Sequence, residues 1–321
     1  MAAISARDRQ DLWRCAVRAA RALGGARPSM GTAIMACLAR AFEEVGRVWD
    51  GVEAEEKGKG KIVNVKKLAE IGAAVIEKII AQRKNEVEML GMVFVGWVEG
   101  FLLETTTLTI LTPSTPTPIH HLILVLLTHL PTLTLTLLIH EPRPGHEAAA
   151  TTSQLVSSIP VHQTPRLTIE IIPNCAVATA ARRADVVVLS AERIEGNGDV
   201  KGGSGLLGVV GVGKSRSSNS PFSDINTRRR GCRVVVLTDI DRIAPSYLLP
   251  SLLDFPTPTP NTRHTLKSSS AIAVFDEWFE TVPARFVDAY VTEKGVLDLE
   301  GVRGVSVGVG ELRESIFGGE L

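Results

Sequence analysis

The chain has 321 residues, and its 35 Lys and Arg balance its 35 Asp and Glu, so the formal net charge is zero. Binding to nucleic acid through many phosphates needs a surplus of Lys and Arg, so this balance argues against nucleic acid as a direct partner. Hydrophobic residues make up 45% and charged residues 22%, which is ordinary for a globular protein and excludes wholesale disorder. At roughly 150 residues per domain, the length predicts two domains.

The cysteines and the apolar segments of the sequence suit a cytoplasmic protein. The four cysteines stand far apart, without Cys-x-x-Cys or a histidine at metal-ligand spacing, so we expect reduced thiols and no metal site. Residues Met1 to Arg9 lack the apolar segment of a secretory signal. The apolar stretch Ile119 to Ile139 contains Pro131 and alternates Thr and Leu in its second half, which favours a sheet strand over a membrane helix.

The first hundred residues carry the apolar periodicity of helices. Apolar side chains recur every three or four residues from Leu12 to Leu23 and again from Ile34 to Trp49. Between these two predicted helices, Arg27 to Ser29 has the composition of a helix start. We expect the charged segment Glu53 to Lys61 to be a loop. A third helix is predicted over Lys66 to Lys84, followed by a fourth.

Near Glu104 the helical periodicity gives way to short β-branched and apolar runs. Helical patterns at Ala148 to Ser158 and Ala176 to Ala184 separate these runs, and the alternation predicts a doubly wound, mostly parallel sheet. We therefore place an N-terminal helical domain at residues 1–103 and a Rossmann-like domain at residues 104–321, which together make an α/β protein. The predicted strands are Thr106 to Thr112, Leu133 to His140, Leu167 to Ile172, Val186 to Ser190 and Val234 to Thr238.

The segment Gly208 to Ser215 matches the phosphate-binding pattern G-x-x-x-x-G-K-[ST], with Lys214 as its lysine. In a P-loop nucleotide hydrolase a helix starts directly after that lysine, because its N-terminus holds the phosphates. Here the lysine precedes sequence rich in Ser, Pro and Arg. We expect surface insertions over Ser215 to Arg230 and over Pro256 to Ser270. Because glycine-rich apolar sequence also produces such matches by chance, the P-loop is the least favoured function.

Polar and charged residues gather where the predicted strands end. The carboxyl ends of parallel strands meet at one edge of a sheet, so we expect these residues to lie near one another. Carboxylates, basic side chains and glycine-rich backbone at one edge suit a phosphorylated small molecule. The alternative is that they only cap elements and pair with one another. The residues concerned are Ser114, Glu141, Arg143, Glu192, Asn197, Gly198 and Lys201.

Several segments of the predicted second domain carry a resemblance to a known family. They are Glu141 to Glu147, Ile172 to Val177, Val186 to Asp199, Phe279 to Ala284 and Tyr290 to Leu297. In these segments the chain resembles the family of the alpha, beta and delta regulatory subunits of translation initiation factor 2B. That family also contains methylthioribose-1-phosphate isomerase and ribose-1,5-bisphosphate isomerase. The resemblance implies a helical domain followed by a Rossmann-like domain of the NagB/RpiA/CoA-transferase type.

The resemblance also implies where catalysis would occur. The isomerases of the family use a cysteine after the first strand and an aspartate after a later one to move the substrate proton. The corresponding residues here are Ser114 and Glu192. A serine hydroxyl does not readily replace a thiol in proton transfer, and the longer Glu side chain displaces its carboxylate by about an ångström. The resemblance therefore favours a non-catalytic subunit that acts in guanine nucleotide exchange during translation initiation.

An isomerase that converts an aldose 1-phosphate to a ketose phosphate is the alternative, with Glu192 as acid and base and Ser114 assisting. By resemblance, the partners are like subunits in a homodimer or heterodimer, paired through the second domain. No cofactor is expected for either function. The residues expected to bind a sugar phosphate are Arg27, Arg143, Asn197, Gly198 and Lys201.

Overall fold

The computed structural model describes residues 6–26, 30–61, 63–102, 106–113, 117–141, 147–203, 205–215, 232–245 and 279–318. Within these ranges the expected α/β class is confirmed, with helices first and a mostly parallel sheet after them. The helices are α1 (Arg9–Ala26), α2 (Gly31–Gly58), α3 (Val65–Leu102), α4 (Thr117–His129), α5 (Glu147–Ser158), α6 (Val177–Ala181), α7 (Leu206–Ser215) and α8 (Leu299–Phe317). The strands are β1 (Thr107–Thr112), β2 (Thr134–Glu141), β3 (Leu167–Pro173), β4 (Val186–Ser190), β5 (Arg193–Ile194), β6 (Val200–Gly203), β7 (Arg233–Leu237), β8 (Phe279–Val282), β9 (Ala289–Thr292) and β10 (Gly295–Leu297).

Two of the N-terminal helices are longer than their apolar patterns predict. The charged segment Glu53 to Lys61 is mostly not a loop, because α2 continues to Gly58. Glu55 in this part of the helix pairs with Lys59, the residue after its end, whose Nζ lies 2.5 Å from Glu55 Oε1. The third and fourth predicted helices are a single helix, α3. Helical side chains three or four residues apart are neighbours, so a charged segment can stay helical without an apolar face.

The main sheet has seven strands in the order β10-β9-β7-β4-β1-β2-β3. All neighbouring pairs are parallel except β9 and β10, which form an antiparallel edge. Every predicted strand is present, with its ends within about one residue of the prediction. A second sheet of three antiparallel strands has the order β5-β6-β8. The insertions predicted over 215–230 and 256–270 lie outside the described residues, apart from Ser215.

Helices pack against the main sheet, and the apolar core lies between these helices and the strands. Val186, Val187, Val188 and Leu189 of β4 are all fully buried, so both faces of this strand are covered, as its continuous apolar sequence predicts. One large apolar cluster joins the second half of α3, α4 and α5 to alternate residues of the parallel strands. In the described ranges, no helix is long and apolar enough to cross a membrane.

By its contacts the chain divides into two compact units. The first consists of the described residues within Met1–Asn85, Asp241–Pro258 and Gly304–Leu321, and the second of those within Glu86–Ile240 and Thr259–Arg303. The first unit thus combines the beginning, middle and end of the sequence. Buried Asp241 is bound there by Arg83, whose Nη2 lies 2.5 Å from Asp241 Oδ2. The ring centroids of Phe42 and Phe317 lie 5.9 Å apart, and Arg21 donates a hydrogen bond to the Phe317 carbonyl.

Candidate functional site

The candidate site is the carboxyl edge of the parallel sheet, in the second unit. Here the strands end in polar residues or are followed by them, and the topology gathers these residues because parallel strands point the same way. They are Thr112 at the end of β1, Glu141 at the end of β2, Glu192 after β4, Thr238 and Asp239 after β7, and Glu293 after β9. Of the residues predicted from sequence, Ser114, Arg143 and Arg27 lie outside the described residues. The predicted residues that the structure places are Glu141, Glu192, Asn197, Gly198 and Lys201.

The structure brings Glu192 and Lys201 together. Glu192 follows β4 and is half-buried, and its backbone N–H donates a hydrogen bond of 2.9 Å to the carbonyl of Lys201. The next residue, Arg193, lies opposite Lys201 in the antiparallel pair of β5 and β6. Side chains of directly opposed residues stand on the same face of a sheet. A carboxylate and two basic residues thus belong to one hairpin at the end of β4.

Lys201 is engaged by an acidic neighbour that sequence reasoning missed. Glu195 Oε1 lies 2.9 Å from Lys201 Nζ, and Glu195 Oε2 accepts a 2.9 Å hydrogen bond from Arg193 Nη2. One carboxylate therefore joins both cations of the hairpin. A phosphate group at Lys201 has to compete with Glu195 for the same positive charge.

Asn197 and Gly198 form the turn of the same hairpin. Asn197 Nδ2 donates to Asp199 Oδ2, and Asp199 N donates to Asn197 Oδ1, each at 3.0 Å. Gly198 has a φ of +88°, which suits glycine because other residues rarely adopt it. The Asp199 Oδ1 atom also accepts a 2.9 Å hydrogen bond from the backbone N–H of Ala284. The polar groups of the turn thus stabilise the hairpin and its contact with Ala284.

The opposite part of the edge is acidic. Glu293, which is 7% exposed, accepts a 3.1 Å hydrogen bond from the Ile240 backbone N–H. Burial raises the pKa of the Glu293 carboxyl, backbone N–H donors offset part of this, and the carboxylates of Asp239 and Glu86 raise it again. Among the described residues, no group of three or more His, Cys, Asp or Glu has the arrangement to hold a metal ion. The described carboxylates of this edge therefore lack metal-ligand geometry.

The glycine-rich match at Gly208 to Ser215 is helical, since it lies inside α7. Lys214 is in the last turn of that helix, and its Nζ lies 2.5 Å from Asp288 Oδ2. At the start of α7, the backbone N–H of Leu207 donates a hydrogen bond of 2.8 Å to Glu280 Oε2. A phosphate-binding loop requires this sequence to be a loop that precedes a helix. The P-loop match is therefore a chance one.

Comparison with known proteins shows a similarity of fold. No family model matches the sequence, and no curated protein matches it. The chain resembles initiation factor 2B beta from Chaetomium thermophilum, with a TM-score of 0.61 and 12% identity over 100% of this chain and 83% of that chain. A chain of the tetrameric beta2-delta2 complex of that factor, from C. thermophilum, gives a TM-score of 0.61 and 14% identity over 94% of this chain and 82% of that chain.

The delta subunit of the factor from A. fulgidus gives a TM-score of 0.54 and 17% identity over 95% of this chain and 83% of that chain. Each match spans both the helical part and the sheet part of the sequence. At these identities the shared property is the fold. The chain thus has the fold of initiation factor 2B subunits, and the resemblance seen in the sequence is confirmed at that level.

Proposed function

We propose that this chain is a regulatory subunit of the initiation factor 2B type. It assembles with like subunits in the cytoplasm and acts in guanine nucleotide exchange during translation initiation. The observation that carries the proposal is the fold shared with a beta subunit over 100% of this chain and with a delta subunit over 95%. In C. thermophilum, beta and delta subunits form a tetrameric complex with each other. Assembly with like subunits is the property that the proposal transfers to this chain.

The chemistry of the hairpin after β4 supports a role without catalysis. The carboxylate after β4 belongs to Glu192, one methylene longer than the aspartate of the isomerases that the sequence resembles. The nearby Lys201 is neutralised by Glu195 at 2.9 Å. Proton transfer between adjacent sugar carbons depends on groups placed within a fraction of an ångström. The hairpin is better suited to keep its shape than to move protons.

Purification of the chain from its native cells tests this proposal. The tagged chain is isolated at physiological salt, and the proteins bound to it are identified by mass spectrometry. We expect other initiation factor 2B subunits in amounts comparable to the tagged chain. Recovery of the chain alone, or only with copies of itself, would overturn the role in translation initiation.

A sugar phosphate is part of the proposal, as a regulator held by Arg143 and Lys201. A ligand that binds only the folded state raises the melting temperature as its concentration exceeds Kd. We expect ribose 1,5-bisphosphate or methylthioribose 1-phosphate to raise the melting temperature of the chain, and Lys201→Gln to abolish the rise. The exposed Lys66→Gln is the matched control. An equal rise in both variants would exclude Lys201 from the binding site.

The isomerase is a second candidate because Glu192 and Lys201 lie side by side at the carboxyl edge. In that function Glu192 moves the proton between the two sugar carbons, and Ser114 assists. Incubation with each sugar phosphate, followed by chromatography of aldose and ketose, measures the activity directly. Turnover that is lost in Glu192→Gln would establish the isomerase. Absence of turnover with both compounds would leave the regulatory role.

A further inference from the structure

Two helical segments of this neutral chain each carry charge of one sign. From Leu12 to Ala26, α1 contains three Arg and neither Asp nor Glu. From Glu86 to Leu102, α3 contains three Glu and neither Lys nor Arg. The two segments are therefore opposite in charge, and neither contains the charges that would compensate its own.

Two of the three arginines between Leu12 and Ala26 are presented to solvent. Arg14 and Arg18 are spaced by four residues, so they are neighbours on one side of the helix, and both are exposed. In the part of the chain that the structure describes, no carboxylate lies within ion-pair distance of either. The third, Arg21, is half-buried and donates to the Phe317 carbonyl. Arg14 and Arg18 thus provide positive charge that the fold does not use.

The exposed side of α1 continues from these arginines over small and apolar residues. At 3.6 residues per turn, Ala22 and Ala19 follow Arg18 around the helix, and Leu23 lies at the far margin. Both alanines are exposed, and Leu23 is 58% exposed. We call Arg14, Arg18, Ala19, Ala22 and Leu23 the arginine face. It is an apolar surface with a basic margin.

The segment of α3 presents an apolar surface with an acidic margin. Met89 is 52% and Met92 38% exposed, and helical geometry places Gly96 and Gly100 on the same side. A Cβ at either glycine would meet no atom within 4 Å. Two exposed glutamates lie along one margin of this side, and they are Glu88 and Glu99. We call Met89, Met92, Gly96 and Gly100, with these two glutamates, the methionine stripe.

The methionine stripe is suited to receive another helix. Exposed methionine side chains adapt to varied apolar partners, and the absence of side chains at the glycines lets a helix approach closely. Glu88 and Glu99 restrict the choice of partner, because a second methionine stripe offers them no basic residue. A helix with arginines along one margin of an apolar surface fits instead.

The arginine face has the required chemistry. Its alanines leave room for the methionine side chains, and its basic margin matches the acidic margin of the stripe. Along the helix axis, Arg14 and Arg18 are about 6 Å apart, whereas Glu88 and Glu99 are about 16 Å apart. When the two helices lie side by side, both arginines can therefore lie between the two glutamates.

We propose that the arginine face of one copy of this chain docks on the methionine stripe of a second copy. The inference rests on the proposed assembly with like subunits, and it adds a contact between N-terminal helices to the pairing expected through the second domain. A contact between two such helix faces is smaller than a standard protein interface, so we expect association in the micromolar range.

Charge reversal tests the pairing in the full chain. One variant carries Arg14→Glu and Arg18→Glu, and the other carries Glu88→Arg and Glu99→Arg. Sedimentation velocity from about 1 to about 100 μM follows self-association at low salt. We expect each variant alone to raise the Kd of self-association by about tenfold or more. An equimolar mixture of the two variants should associate again, because reversed surfaces pair with reversed surfaces and unaltered ones with unaltered ones.

Several controls make the result specific. Glu77→Arg and Arg303→Glu reverse exposed charges outside both surfaces and should leave the Kd unchanged. Raising the salt concentration from about 50 to about 500 mM should weaken self-association of the unaltered chain, which tests the charges even if a variant fails to fold. A chain that stays monomeric throughout, or variants that associate like the unaltered chain, would overturn the inference.

The outcome is independent of the proposed function. If initiation factor subunits co-purify with the chain but charge reversal changes nothing, the pairing fails and the function stands. If the chain self-associates as expected but binds no such subunit, the pairing stands and the function fails. If the chain alone is monomeric but Glu88→Arg with Glu99→Arg releases another subunit, the stripe binds that subunit and the proposed second copy is wrong.

Discussion

The hydroxyl of Tyr290 donates a buried hydrogen bond of 2.5 Å to the backbone carbonyl of Gly198. Tyr290 belongs to β9 of the main sheet, and Gly198 lies in the turn between β5 and β6 of the small sheet. Asp199, the next residue of that turn, binds the backbone N–H of Ala284. The hairpin that carries Glu192 and Lys201 is therefore fixed to the main sheet through its turn.

Replacement of Tyr290 by Phe should destabilise the protein. The ring would still fill its space, but the Gly198 carbonyl would lose its donor while remaining buried, which costs about 1–3 kcal/mol. Urea unfolding, followed by circular dichroism, measures the loss. Ser157→Ala removes an exposed hydroxyl that donates to the Ser153 carbonyl at 2.6 Å, and should change the free energy of unfolding by less than about 0.5 kcal/mol.

Alkaline unfolding should depend on the same tyrosine. Burial, and then the charge of Asp199, raise the pKa of Tyr290 from 10.0 to about 12. Because the folded pKa lies above the unfolded one, this contribution is fully present below pH 10 and is lost as the pH rises through 12. The unaltered chain should lose stability over this interval more steeply than Tyr290→Phe. Equal slopes for both chains would contradict the assignment.

Gly198 and Gly211 should respond to alanine in opposite directions. A Cβ at Gly198 would clash with Leu299 Cδ1 and lie 2.8 Å from the Tyr290 hydroxyl, and the φ of +88° adds strain. Gly198→Ala should therefore cost about 2 kcal/mol or more. Gly211 lies inside α7 with open space around it, so Gly211→Ala should stabilise by about 0.5–1 kcal/mol. Thermal melting of the two variants measures both changes.

Replacement of Arg166 should destabilise the protein more than replacement of an exposed arginine. Its guanidinium donates to the carbonyl of Leu127 at 2.6 Å, in the last turn of α4, and to the carbonyl of Leu130 at 2.9 Å, just after the helix. Arg166→Ala removes a cation and its hydrogen bonds from the helix C-terminus and should cost about 1–3 kcal/mol in urea unfolding. Arg182→Ala, at an exposed site, is the control. A loss equal to that of the control would show that α4 does not need this cap.

Glu293→Gln should raise stability at neutral pH. The folded pKa of Glu293 lies above 4.5, chiefly because of burial, so the protonated form is favoured in the folded state. The resulting stability is present below pH 4.5 and lost as the pH rises through the folded pKa. An uncharged amide keeps an acceptor for Ile240 N and avoids the charge. The gain seen in urea unfolding at about pH 7 should therefore shrink toward about pH 4.

The parts of the fold that follow from local sequence were predictable. The valine run of β4 reads as a buried strand because its run of four apolar residues is unbroken, and β1 and β2 follow from their Thr and Leu alternation. The charged end of α2 was not predictable from apolar periodicity, because this part of the helix has no continuous apolar face. Strands of four residues such as β9 are too short to produce a periodic pattern.

The candidate site was also predictable only where local sequence determines it. Strand, turn and strand in sequence brought Glu192 and Lys201 together, which a local pattern can predict. The partner of Lys201 was missed, because an ion pair with Glu195 depends on how the hairpin orients two side chains. Glu293 was missed for a different reason. Its position beside β7 depends on the parallel pairing of β7 with β9, distant in sequence, which leaves no local signal.

Helix α8 is needed to complete a core whose other members are made much earlier in synthesis. The carbonyl that Arg21 binds belongs to Phe317, 296 residues further along the chain. Phe317 is also part of the core formed by Val17, Met35 and Phe42. At roughly 5–20 residues per second, the ribosome delivers that residue about 15 to 60 s after the first helix. The core around Phe42 is thus completed only after α8 has been made, and until then its apolar side chains lack one of their partners.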